Sequence, residues 1–224
     1  MARSTVTDPL RNFKFRVQFH PNENVDAPAF KQMVDRDFAY MGFSVVSGLT
    51  VQNEMVAYRE GGMNTHPHKM VGQSDYGPVT FTNGVFTDLP GLYRWQQFVH
   101  TWLQGGTAVD GGVLGDPNNG TGSTFGNNEY RCDISVIVYD HPVSAGSYAQ
   151  PGNNSPDKAT PVSAKFGYKL FNCWPASYSL GDLNAGDSSI LIQQMVVNHE
   201  GFHILWGSDI GEGEELESKV AALT

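Results

Sequence analysis

The sharpest chemical signal in the sequence is the HExxH pattern His199-Glu200-Gly201-Phe202-His203. On a helix, histidines at i and i+4 share a face and can hold one zinc ion while the glutamate activates water, so the pattern alone proposes a zinc-dependent hydrolase. The residues leading into it oppose a helix. Ile190-Leu191-Ile192-Gln193-Gln194-Met195-Val196-Val197 is rich in β-branched side chains and lacks an i, i+3, i+4 apolar stripe, and Gly201 interrupts the would-be helix. On a strand, positions four apart are separated by about 13 Å, too far for two imidazoles to share one ion. The extended form of the motif also wants Gly at 206 and His at 209, where the chain has Trp206 and Asp209. The motif is therefore expected to mark the end of a strand, with no catalytic and no metal-ligating role.

Other candidate groups point the same way. Pro67 makes His66-Pro67-His68 a loop or edge feature with exposed histidines. Cys132 and Cys173 each sit in an apolar, strand-like segment without CxxC spacing, and are expected to be reduced core residues rather than a bridge or a metal site. There is no GxSxG elbow, no phosphate-binding loop and no GxGxxG after a strand, so no cofactor is expected.

The elements that would carry these residues read as mainly β. Apolar alternation or continuous β-rich runs occur at 13–19, 41–46, 50–58, 79–86, 130–139, 163–171 and 189–198, mostly bounded by Gly, Pro, Asn or Asp. In the first, Phe13, Phe15, Val17 and Phe19 should share a buried face opposite Lys14, Arg16 and Gln18. One core helix is predicted from near Pro90, capped by Asp88, with Leu92, Trp95, Phe98, Val99 and Trp102 on one stripe and Gly105-Gly106 ending it. Segments rich in Gly, Asn, Ser, Thr and Pro, at about 104–129 and 141–161, read as long loop insertions. Residues 207–224 form an acidic C-terminal tail with a short helix-like end, expected to fray or to dock onto a neighbour. Residues 1–206 then make one domain.

The chain has 224 residues, 40% hydrophobic, enough for a sizeable single core. The opening Met1-Ala-Arg-Ser-Thr-Val-Thr lacks the apolar run of a signal peptide, and no stretch approaches the roughly 20 apolar residues of a membrane span. A formal charge of −9 argues against a protein that grips nucleic acid, because phosphate binding relies on Lys and Arg displacing counterions.

Several motifs, in order, resemble one known family. They are Asp8-Pro9-Leu10-Arg11-Asn12-Phe13-Lys14-Phe15-Arg16-Val17, then Gly42-Phe43-Ser44-Val45-Val46-Ser47-Gly48-Leu49, and Glu54-Met55-Val56-Ala57-Tyr58-Arg59-Glu60-Gly61-Gly62. The likeness resumes at Asn172-Cys173-Trp174-Pro175-Ala176-Ser177-Tyr178, Asp182-Leu183-Asn184-Ala185 and His199-Glu200-Gly201-Phe202. Together they resemble the tail tube proteins of contractile-tailed phages, related to the tubes of contractile injection systems and type VI secretion.

The resemblance implies a β-barrel or sandwich of tail-tube type with one flanking helix. Six copies would form a ring, and rings would stack into a conduit for DNA delivery inside a contractile sheath, in a virion assembled in the host bacterial cytoplasm. Implied partners are further copies of the chain, the sheath, baseplate and tail terminator proteins, and genomic DNA passing through without specific binding. The strand from Thr50 and the loop after it are the candidate assembly interface, with Gln52, Glu54, Tyr58, Arg59, Glu60, Gly61 and Gly62, because an uncovered strand edge is a template for pairing. An injection-system tube, a zinc hydrolase and a monomeric β-sandwich binding module are the alternative readings.

Overall fold

A computed structural model describes residues 10, 12–21, 28–38, 41–62, 65–86, 89–103, 130–139, 164–186, 188–207 and 216–223. Both predicted insertions, at 104–129 and 141–161, lie outside the described residues, as does the proposed cap Asp88. Strands dominate: β1 (Phe15–Pro21), β2 (Val45–Ser47), β3 (Val51–Tyr58), β4 (His68–Tyr76), β5 (Val79–Gly84), β6 (Cys132–Tyr139), β7 (Ala164–Leu180), β8 (Ile192–Asn198) and β9 (Gly201–Trp206). The helices are α1 (Pro28–Met33), running into a π-helical turn at Val34–Phe38, then the long α2 (Gly91–Leu103) and α3 (Leu216–Ala221).

Seven of these strands form an antiparallel sheet in the order β1-β6-β7-β8-β5-β2, with β9 also on β7. The 17-residue β7 organises it. Its first part pairs with β6 on one side and β9 on the other, and its second part pairs with β8. One register runs through both partners, Trp174 facing Asn198 and Phe171 facing Gly201, so β8 and β9 are one extended run kinked at His199-Glu200. The kink lies opposite Asn172, which takes a left-handed φ of 52°, and beside a register shift between β6 and β7. There the sheet turns from one half to the other.

The core fills that bend. Val17 and Phe19 of β1, Phe81 of β5, Ile134 of β6, Leu170 of β7 and Met195 of β8 meet Leu92, Trp95 and Phe98 of α2 and Phe38 of the π-helical turn. Trp95 is fully buried and its indole Nε1–H donates to the Tyr130 carbonyl at 2.6 Å, which satisfies the one polar atom of that side chain. Asp37, also fully buried, accepts from Arg94 of α2 at 3.0 Å and from Arg36 at 2.7 Å, tying the π-helical turn to the helix.

Three expectations need correction. Phe13 does not join the buried face: it sits in a turn before β1 and is 63% exposed, because the strand starts two residues later. His66-Pro67-His68 is not all loop with exposed histidines, since His68 already opens β4 and is half-buried. The end of the chain docks onto its own sheet. Leu216 and Val220 pack on Ile137, and Lys169 donates to the carbonyls of Ala221 (3.2 Å) and Leu223 while pairing with Asp133 at 3.1 Å.

Candidate assembly interface

The β3–β4 hairpin is set apart from the rest of the molecule. It forms its own two-stranded sheet, and every residue of β3 is exposed. Both strands have good β sequences, and Val51 faces Tyr76, Val56 faces Met70 and Tyr58 faces His68, whose rings stack at 5.2 Å between centroids. Opposite Glu54 the partner strand carries an extra residue. A Cβ on Gly72 there would lie 3.0 Å from the Glu54 carbonyl oxygen, so the bulge is built on glycine. Ser74 Oγ–H donates to Asn53 Oδ1 at 2.7 Å beside it. Past β3 the chain turns at Gly61-Gly62, where Gly62 has φ of 100°.

Among the described residues, nothing covers the apolar side chains of this ribbon. Met55 is 54% exposed, Met70 59% and Val71 80%. The candidate interface residues Thr50, Gln52, Glu54, Tyr58, Arg59, Glu60, Gly61 and Gly62 are all exposed along the same arm. Sequence reasoning found β3 but missed β4, whose Met70 and Val71 add the most exposed apolar surface.

The arm is free but its root is fixed. Gly48 stands at φ of 99°, and a Cβ on it would lie 2.5 Å from the Pro78 carbonyl oxygen. Gly77 N–H donates to the Thr50 carbonyl at 3.0 Å. His199, from the HExxH segment, bridges the root to the sheet. Its Nε2 lies 3.1 Å from the Gly77 carbonyl oxygen and its Nδ1 3.1 Å from that of Gly201, and the Tyr76 ring packs on it. Burial lowers the His199 pKa against the raising effect of those two carbonyls.

The rest of the HExxH segment is likewise committed to structure. It lies on the kinked β8–β9 run and not on a helix. Glu200 accepts from Asn172 Nδ2 at 2.8 Å and pairs with Arg131, and these hydrogen bonds hold its carboxyl below the usual range. A general base for water would need the opposite shift, toward neutrality. His203 faces Lys169 in the β7–β9 register and is exposed. Among the described residues, no three His, Cys, Asp or Glu side chains gather in a group able to hold a metal ion. Cys132 and Cys173 are free and buried. Among the described residues no helix is long and apolar enough to cross a membrane.

Residues 11–203 match the family described as T4-like virus tail tube protein gp19. The chain belongs to this tail tube family. It is a structural tube subunit. No curated protein matches it by sequence. In fold, the tail tube chain is similar to a chain of the anti-feeding prophage (AFP) baseplate, solved by electron cryomicroscopy with 6-fold symmetrisation. That match has 16% identity and a TM-score of 0.58, and covers 90% of this chain and 99% of the other. It is also similar to a chain of the sheath-tube complex of the PVC extracellular contractile injection system in its extended state. There the identity is 17% and the TM-score 0.55, over 92% of this chain and 99% of the other. A chain of the AFP tube terminating cap gives 17% identity and 0.55 over 92% and 96%.

Proposed function

We propose that this tail tube protein assembles into homo-hexameric rings stacked into a tube, and that the β3–β4 hairpin of each copy lies on a neighbouring copy. The observation that carries this reading is the hairpin itself. A two-stranded ribbon alone in water is marginally stable, and this one displays Met55, Met70 and Val71 with no cover in its own chain among the described residues. The acceptor in the next copy is the β7–β8 connection, where Leu183 and Ile190 are each 81% exposed. A patch that fits a different patch of the next copy makes a head-to-tail contact, and such contacts close into rings or run on as filaments.

The tube serves as a conduit for DNA within a contractile sheath, held between baseplate and terminator proteins, in a virion assembled in the bacterial cytoplasm. The net charge of −9 suits passage of DNA, since carboxylates repel the phosphate backbone and offer it no tight stops. No step of catalysis is assigned to the chain. Its fold likeness to chains from two injection-system particles favours a second reading, the inner tube of such a particle, which differs in cargo and not in assembly.

Deleting residues 61–67 tests the assembly role. Full-length protein should give hollow tubes in negative-stain micrographs, and the deletion should give a folded subunit without tubes. Normal tubes from the deletion would remove the hairpin from the mechanism. Zinc measured in the same preparations should be substoichiometric; one zinc per chain, lost in His199→Ala, would restore the hydrolase reading.

A further inference from the structure

Cys132 and Cys173 are the only cysteines of the chain, and they meet. The β6–β7 register sets Cys132 directly opposite Cys173. Facing residues of an antiparallel pair project to the same side with Cβ atoms about 4.5–5.5 Å apart, within a small movement of disulfide geometry. Both belong to the same core cluster, at 1% and 0% exposure, and both thiols are free. The pair stands where the sheet is least continuous. A register shift lies between Cys132 and Ile134, the left-handed Asn172 precedes Cys173, and a second shift lies between Pro175 and Ser177.

We propose that Cys132 and Cys173 are a modification site, an oxidation-closed clamp across the corner at which β7 exchanges β6 for β8. A peroxide oxidises one thiol to a sulfenic acid and is itself reduced to water. The second sulfur then attacks the first, the S–O bond breaks, the S–S bond forms and a second water leaves, its proton supplied by the attacking thiol. Peroxide is small enough to reach a core sulfur during brief openings of the corner. Burial raises both thiol pKa values well above the ordinary range, so the pair stays unreactive until such an opening. The bond closes the loop from β6 to β7 and staples β6 to β7 at the corner, which restricts the unfolded chain. Its timing rests on the tail tube reading: a subunit made in a reducing cytoplasm meets oxidant once the particle leaves the cell.

The full-length subunit is treated with hydrogen peroxide and mapped as peptides without reduction. The peptides holding Cys132 and Cys173 should appear linked, lighter by two hydrogens than their sum, and dithiothreitol should separate them. The oxidised subunit should melt about 5–10 °C above the reduced one, a rise absent from Cys132→Ser and Cys173→Ser. Refolding in mixed oxidised and reduced glutathione should give the same link even if the folded core resists peroxide. Free thiols after both treatments, unlinked oxidation of each cysteine, or bridges between copies would overturn the clamp. Tube formation is scored separately by microscopy, so loss of tubes and loss of the link are distinguishable.

Discussion

β5 and β3 are short strands of the same chain with opposite surroundings. In β5 burial alternates, and Val79 and Phe81 are fully enclosed by β8, β2 and the α2 layer. In β3 nothing is enclosed, although Val51, Met55, Val56 and Tyr58 are as apolar as a core strand's residues. Apolar content fixes that a segment becomes a strand; it does not fix which molecule covers it. For β5 the cover is in the same chain. For β3 it comes, on the proposed assembly, from the next copy.

Truncating each region separates the two cases. Phe81→Ala opens a cavity between β5 and the ring of Phe43, 5.6 Å away by centroid, with Phe19 behind it. The subunit should lose about 3–5 kcal/mol of unfolding free energy in a urea titration. An unchanged midpoint would mean that the corner packing is looser than its burial implies.

The paired substitution Met70→Glu, Val71→Glu acts on the other region. Both side chains are exposed in the single subunit, so its unfolding free energy should move by no more than about 0.5 kcal/mol. Burial in a neighbour stabilises such side chains by about 1.5–3 kcal/mol each, and the glutamates forfeit it at every contact of every ring. Tubes should vanish from sedimentation and micrographs while circular dichroism stays unchanged. If the variant unfolds, or if tubes persist, the division between a self-covered sheet and a neighbour-covered arm is wrong.

Most of the parts legible in the sequence are covered within the chain; β3, legible from its β-rich run although exposed throughout, is the exception. β1, β5, β6 and α2 follow from their periodicity, and Leu92, Trp95, Phe98 and Val99 are buried as their spacing predicts. β4 was hidden because Gly72 bulges it and because its Met70-Val71 pair has no buried face to alternate with. β7 reads as ending at Phe171, since Asn172 and Pro175 are breakers in isolation. The bulges on either side absorb both, and the strand continues to Leu180. α1 and the π-helical turn after it carry Pro28, Asp35 and Asp37, weak helix formers, and tertiary contacts hold them: Phe30 of α1 on Phe98, ring centroids 5.5 Å apart, and Asp37 of the turn with Arg94. The HExxH segment reads as a strand end, and Gly201-Phe202-His203 does open β9, but the clasp at the arm's root depends on the long-range meeting of His199 with Gly77.

That clasp predicts the smallest effect, a pH dependence located between the two regions. Burial lowers the pKa values of His199 and His20 below the ordinary 6.5, so the fold prefers the neutral rings. The unfolded chain then takes up protons first as pH falls. Stability is complete above about pH 6.5 and declines below it until the folded pKa values are passed. For His199 the opposing element is its pair of carbonyls. A neutral ring has one N–H for the two of them and the cation has two, which limits the decline without reversing it. Urea titrations at pH 7.5 and 5.5 should show a loss for the parent that shrinks in His199→Gln by no more than about 1 kcal/mol. Equal losses in parent and variant would take His199 out of the pH response and leave it to His20, whose ring lies 2.7 Å from Ser135 Oγ on the other half of the sheet.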